Sequence, residues 1–272
     1  MSAAELAPLP RRLLAEAVGT AALVAVVVGS GVMATELTDD VALQLLANSL
    51  TTVFGLGLLI WLLAPVSGAH FNPAVTAVVA FTDRRPVGDA LAYVTVQLVG
   101  GVAGALLANA MFDLALFQLS TTQRTGGHLW LAEVVATTGL VTVVLAVGRT
   151  GRTEAAPVVV ALWIGAAYWF TSSTSFANPA VTLGRVFSDT FTGIAPCSAP
   201  AFVLAQLVGG VVAVALVRGL FGPQARASQP WTASTQRAAA DASSANHSDG
   251  SVSSSSSSSG SPDGSGTRST RA

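Results

Sequence analysis

Ser67-Gly68-Ala69-His70-Phe71-Asn72-Pro73-Ala74-Val75-Thr76 is echoed about a hundred residues later by Ser175-Phe176-Ala177-Asn178-Pro179-Ala180-Val181-Thr182. In both stretches Asn is followed by Pro and then by a helix-compatible run. Asn is a strong helix N-cap, and Pro suits the first helical position, where its missing N–H costs nothing. Each stretch therefore reads as the start of a helix. Both follow long apolar runs, so both helices begin at or near membrane depth.

The composition agrees. A mean hydropathy of +0.62 with 10% charged residues over 272 residues is that of a membrane protein. The formal net charge of −1 offers no basic face for nucleic acid. The single Cys197 rules out an internal disulfide framework and a cysteine-rich metal site. Residues 13–34 are too long for a signal-peptide core and read as a retained first helix. No cofactor and no metal are expected. The spans hold no His-Glu-x-x-His, Gly-x-Ser-x-Gly or aspartate pair, so an enzyme is not expected either.

Six runs are long enough to cross a bilayer: about 13–34, 41–63, 90–112, 128–148, 155–171 and 200–220. The segments opened by Asn72 and Asn178 are too short. Residues 1–12 read as a polar head ending in Arg11-Arg12. Residues 223–272 form a Ser-rich tail with an unbroken run from Ser253 to Ser259, predicted to be disordered and cytoplasmic. With the N-terminus inside, Arg11, Arg12, Arg84, Arg85, Arg149, Arg152, Arg218 and Arg226 are cytoplasmic. Only Arg124 and Arg185 then lie outside, as the positive-inside rule requires.

The chain also repeats itself. Leu14-Ala15-Glu16 matches Leu131-Ala132-Glu133, the two Asn-Pro-Ala stretches match, and Gln97-Leu98-Val99-Gly100-Gly101 matches Gln206-Leu207-Val208-Gly209-Gly210. The copies span 13–112 and 128–222. Each has three full spans, an odd number, so the second copy enters from the opposite side: an inverted repeat. The short helices then approach from opposite faces, and Asn72 and Asn178 meet near the midplane.

Irregular backbone at that depth is tolerated only where it is buried in protein or lines a water-filled cavity. The approaches to the short helices, 64–71 and 172–177, are such backbone. A pore reconciles them. Loop carbonyls accept hydrogen bonds along one wall, the Asn side chains donate at the centre, and two helix N-termini each bring roughly half a positive charge. Neutral hydroxylated solutes exchange their water bonds for these groups, whereas cations meet like charge.

The double Asn-Pro-Ala motif (Asn72, Pro73, Ala74; Asn178, Pro179, Ala180), with the paired Glu16 and Glu133, closely resembles the aquaporin family over about residues 11–222. The resemblance implies an all-α membrane protein of six transmembrane helices plus two re-entrant half-helices, one pore per subunit and a homotetramer in the inner membrane. It also implies that Glu16 and Glu133 hold the carbonyls of the re-entrant loops; helix packing is their alternative role. Many members carry Arg directly after the second motif, where this chain has Val181. Spacing carries the other constriction positions onto Thr52, Ala166 and Ser175, and a gap would substitute Phe54 or Tyr168. Taken without a gap, the ring is wide and uncharged. Glycerol-like polyols are then expected to pass, and the run around Gly193-Ile194-Ala195-Pro196 resembles bacterial members linked to arsenic resistance, which implies arsenous acid or methylated arsenicals. A water-selective pore and an ion-coupled secondary transporter are the competing readings. His70 is assigned to loop support or to pH sensing at the cytoplasmic mouth, and Cys197 to a plain loop position or a mercurial site. The glycine pairs are assigned to close helix packing, and Trp61, Trp130 and Trp169 to interface anchoring.

Overall fold

The computed structural model describes residues 7–222. The tail expectation for 223–272 lies outside them, as do the first six residues of the head. Eight α-helices follow one another: α1 (Leu9–Leu37), α2 (Val41–Ser67), α3 (Pro73–Asp83), α4 (Val87–Met111), α5 (Gly127–Thr150), α6 (Ala156–Phe170), α7 (Pro179–Val186) and α8 (Ala199–Phe221). Six spans are long and apolar enough to cross a membrane, the fifth being α6 together with the 3₁₀ turn Thr153–Ala155 before it; α3 and α7 are the short pair.

Two boundaries differ from expectation. The first helix starts at Leu9, so Arg11 and Arg12 sit in its opening turns. Arg12 is tied to α4, donating Nε to the Tyr93 hydroxyl at 2.7 Å and pairing with Asp89 at 3.4 Å. Those partners are distant in sequence, which is why the arginines read as a free head. Likewise α2 continues through 64–67, with Pro65 inside it, and ends where Gly68 turns left-handed at φ 92°. Only residues 68–71 of the first approach are non-helical.

α1 packs along α4 and α5 along α8, the same pairing in each repeat. Glycines allow the close approach. A Cβ on Gly104 would lie 2.1 Å from the Ala21 carbonyl oxygen of α1. One on Gly101 would lie 2.5 Å from that of Ala180, and one on Gly184 2.5 Å from that of Gly101, so α7 rests backbone to backbone on α4. The outer faces carry Leu58, Trp61, Leu91, Val99, Leu131, Leu204 and Val211, all exposed. Large exposed apolar side chains all round suit lipid contact, not water.

Candidate functional site

Each half-helix begins as its sequence dictates. Asn72 is extended, at φ −153° and ψ 116°, and its Oδ1 accepts from the N–H groups of Ala74 and Val75. Asn178 adopts φ −157° and ψ 114° and accepts from Ala180 and Val181 in the same way. Pro73 and Pro179 occupy the first helical positions. The tips do meet. Asn72 Nδ2 donates to the Ala177 carbonyl and Asn178 Nδ2 donates to the Phe71 carbonyl, both at 2.8 Å. One amide hydrogen of each Asn is thereby committed to the opposite repeat, leaving the second as a donor.

The approach loops are strained. Ala69, Phe71, Thr174, Ser175 and Ala177 all have positive φ, between 47° and 59°. Each such residue costs on the order of 1–3 kcal/mol and persists only where surrounding structure over-determines it. The two glutamates supply that constraint. Glu16 accepts from Ser67 Oγ (2.7 Å), His70 N (2.9 Å), Phe71 N (2.7 Å) and Gln97 Nε2 (2.8 Å). Glu133 accepts from Ser173 Oγ (2.6 Å), Phe176 N (2.9 Å), Ala177 N (2.8 Å) and Gln206 Nε2 (2.7 Å). The expectation that they hold loop carbonyls is corrected: a carboxylate accepts, so it takes the N–H groups and leaves the carbonyls free. No hydrogen bond from the described residues reaches the carbonyl oxygens of residues 68–70 or 174–176.

Those loops form one wall of a cavity of about 120 Å³. Gly68, Ala69, His70 and Phe71 line it from one repeat, Ser175 and Phe176 from the other, with Asn72 and Asn178 between them. The facing wall is aliphatic, built from α2, α5 and α6 by Leu56, Ile60, Leu140, Val144, Val160 and Ile164. The path is thus two-sided: acceptors and amide donors on one side, hydrocarbon on the other.

The constriction expectation is partly corrected. Thr52, Ser175 and Val181 are buried and line the cavity. Ala166 does not; it is exposed on the outer face of α6. Tyr168, two residues on and about 200° round the helix, is the side chain that turns inward. Its hydroxyl lies 3.2 Å from Thr52 Oγ1. Phe54 is 70% exposed and is no substitute for Thr52. Arg185 also lines the cavity, although it reads in sequence as an outside charge. It lies in the last turn of α7, is 3% exposed and donates Nε to the Thr192 carbonyl. The cavity is therefore neither free of aromatics nor uncharged. The signal in sequence was the Arg at seven residues past Asn178, two turns down the half-helix on the face of the motif.

His70 places Nδ1 3.1 Å from Thr76 Oγ1 and its ring against Tyr93, so it supports the loop as well as lining the path. Cys197 is exposed, with Sγ 3.4 Å from Gln123 Oε1, and does not line the cavity.

Comparison with known proteins bears on this geometry. The profile of the family described as "Major intrinsic protein" matches residues 4–177 and 167–250. This chain belongs to the major intrinsic protein family, the aquaporins. The aquaglyceroporin AqpS of Rhizobium meliloti is 54% identical over 215 residues, 79% of this chain and 92% of that protein. Aquaporin C of Dictyostelium discoideum is 30% identical over 195 residues, 66% of this chain and 71% of that one. Among solved structures, the aquaglyceroporin of Plasmodium falciparum superposes with a TM-score of 0.61 at 22% identity, covering 79% of this chain and 98% of that one. That likeness establishes the aquaporin fold: six transmembrane helices and two half-helices in an inverted repeat. As a member of this family the protein is a multi-pass membrane channel for small neutral solutes, not an enzyme.

Proposed function

We propose that this aquaporin passively conducts glycerol-sized polyols along with water, and that small neutral hydroxides such as arsenous acid share the path. One observation carries the reading: a continuous cavity with unclaimed loop carbonyls on one wall and aliphatic side chains on the other. A polyol presents its hydroxyls on one edge and its carbon chain on the other, and both find a partner there. Val181 in place of a guanidinium beside the second motif, and the similarity to a relative named an aquaglyceroporin, support the same substrate class.

Tyr168 and Arg185 favour a narrower path, which is the case for a water-selective pore. Stopped-flow shrinkage and reswelling of proteoliposomes separates the two readings. A polyol channel reswells in glycerol far faster than empty liposomes, and a water-selective one only shrinks. The transporter reading lacks a coupling carboxylate on the path. Glu16 and Glu133 are fully buried behind the loops, their oxygens saturated by N–H and O–H donors, and neither lines the cavity.

The site residues take these roles: Asn72 and Asn178 as central donors, Glu16 and Glu133 as loop anchors, and Thr52, Tyr168, Ser175 and Val181 as the ring that sorts by size. In the cell the protein is a homotetramer in the inner membrane with both termini cytoplasmic. The arginines at the ends of α3, α5 and α8 then face the cytoplasm. Protease accessibility of tags at either terminus in inverted vesicles, and mass photometry in nanodiscs, test these two statements.

A further inference from the structure

We propose that the pore mouth beyond α7 holds a binding site for a small oxyanion, made by Arg185 with Arg124 beside it, and that its occupant obstructs the solute path. Among the described residues, neither arginine has a carboxylate within 4 Å; the ion pairs there are Arg12 with Asp89 and Arg85 with Asp83. Arg185 is almost wholly buried, yet its one protein hydrogen bond runs from Nε to the Thr192 carbonyl. Among the described residues both terminal nitrogens are without a partner, and the side chain lines the cavity. Arg124 donates Nε to the Gly193 carbonyl at 2.8 Å and Nη2 to the Phe191 carbonyl at 3.3 Å.

Phe176 brings the two together. The Cζ of Arg185 lies 3.3 Å and that of Arg124 5.2 Å from the centroid of its ring. Ring faces attract cations, but they do not neutralise them. A buried guanidinium with unused N–H groups is costly unless something accepts from them. The local carboxylates are spent: Glu133 on the loop, and Asp189 on the N–H and hydroxyl of Thr121. The negative end of the α7 dipole offsets part of the charge and offers no acceptor fork. Ser175, which also lines the cavity, adds a buried hydroxyl with no partner among the described residues. Burial draws the Arg124 guanidinium below its ordinary value, although Glu133 and Tyr168 pull the other way. A planar fork of free N–H groups matches the oxygens of sulfate, phosphate or a carboxylate. Because Arg185 borders the path itself, an anion held there stands in the way of a polyol.

The site rests on the channel reading for its effect but not for its existence, so two measurements are needed. The first is glycerol reswelling of proteoliposomes with sodium sulfate on both sides, matched to chloride in ionic strength and osmolarity. Sulfate slows the wild type saturably. In Arg185→Gln the apparent affinity falls by about tenfold or more, the scale of a lost charge-assisted pair. Arg124→Gln weakens the effect less. Arg149→Gln, the same charge change beside Gly222 at the other end, leaves it intact. The second is equilibrium dialysis of radiolabelled sulfate against the detergent-solubilised full chain as wild type, Arg185→Gln and Arg185→Lys; the last keeps the charge and loses the fork. Saturable binding weakened in Arg185→Lys supports the site even if glycerol flux is absent, an outcome that would sink the channel reading alone. Glycerol flux indifferent to sulfate together with no saturable binding overturns the proposal, as does binding unchanged in both Arg185 variants.

Discussion

Asn72 reaches across the repeat boundary and donates its side-chain amide to the carbonyl of Ala177 at 2.8 Å, the residue immediately before Asn178. Asn178 returns the contact to Phe71. Each Asn thus does three things: it caps its own half-helix, pins the other half's loop and keeps one donor for the path. The capping oxygen and the pinning nitrogen are separable by mutation. Asn178→Asp keeps the cap, since Asp serves that position as well as Asn. It loses the donor and sets a carboxylate against the Phe71 carbonyl. Water and glycerol flux are expected to fall together by about tenfold, the scale of one lost neutral hydrogen bond at the upper end of its range. Unchanged flux in correctly inserted protein would show that the cross-repeat contact is dispensable.

The glutamates hold strain in place. In Glu133→Gln one acceptor oxygen becomes an NH₂ group facing N–H donors of the loop, so at least one buried donor goes unsatisfied at about 1–3 kcal/mol. Glu16→Gln does the same on the other side. Both variants are expected to lower the melting temperature in detergent and to cut the folded yield severalfold. Melting curves that overlay the wild type would show that the positive-φ loops stand without their anchors.

α6 offers a test of register. Tyr168 faces the cavity and Ala166 faces outward. Ala166→Trp should leave the ratio of glycerol to water permeability unchanged. Tyr168→Trp should lower it, and Tyr168→Ala should raise it. The reverse pattern would restore Ala166 to the constriction.

Packing between α4 and α7 leaves no room for a side chain. Gly101→Val drives methyl groups into the Ala180 carbonyl, which is backbone and cannot swing aside. The expected outcome is loss of the monodisperse species on size exclusion. Gly127→Ala, where a Cβ meets nothing within 4 Å, should behave as wild type. A well-folded Gly101→Val would mean that α7 can move off α4.

Much of this was legible in the residues. The capping chemistry of Asn-Pro-Ala marks a helix start without any tertiary information. The paired Glu, Asn and Gln appear at corresponding places because both halves use one hydrogen-bond plan, Glu16–Gln97–Thr76 and Glu133–Gln206–Thr182. The misreadings share a cause. Ala166 and Tyr168 are two residues apart in sequence and opposite in direction, and an apolar helix lipid-exposed on one face carries too little polarity contrast to set its phase. Arg185 counted as an outside charge because half-helix α7 is too short for its far end to be recognised as buried. Arg12 looked free because Tyr93 and Asp89 arrive from another helix.

The central claim is a path that accepts a polyol's two faces and refuses charge at two opposed helix tips. Val181→Arg places a guanidinium on the cavity wall beside the second tip, so it addresses that claim directly. In matched proteoliposomes followed by stopped-flow light scattering, wild type should conduct water and glycerol with no proton or sodium leak above empty liposomes. Val181→Arg should lose most of its glycerol flux while largely keeping water. Equal loss of both solutes, or a wild type that passes cations as readily as glycerol, would contradict the account.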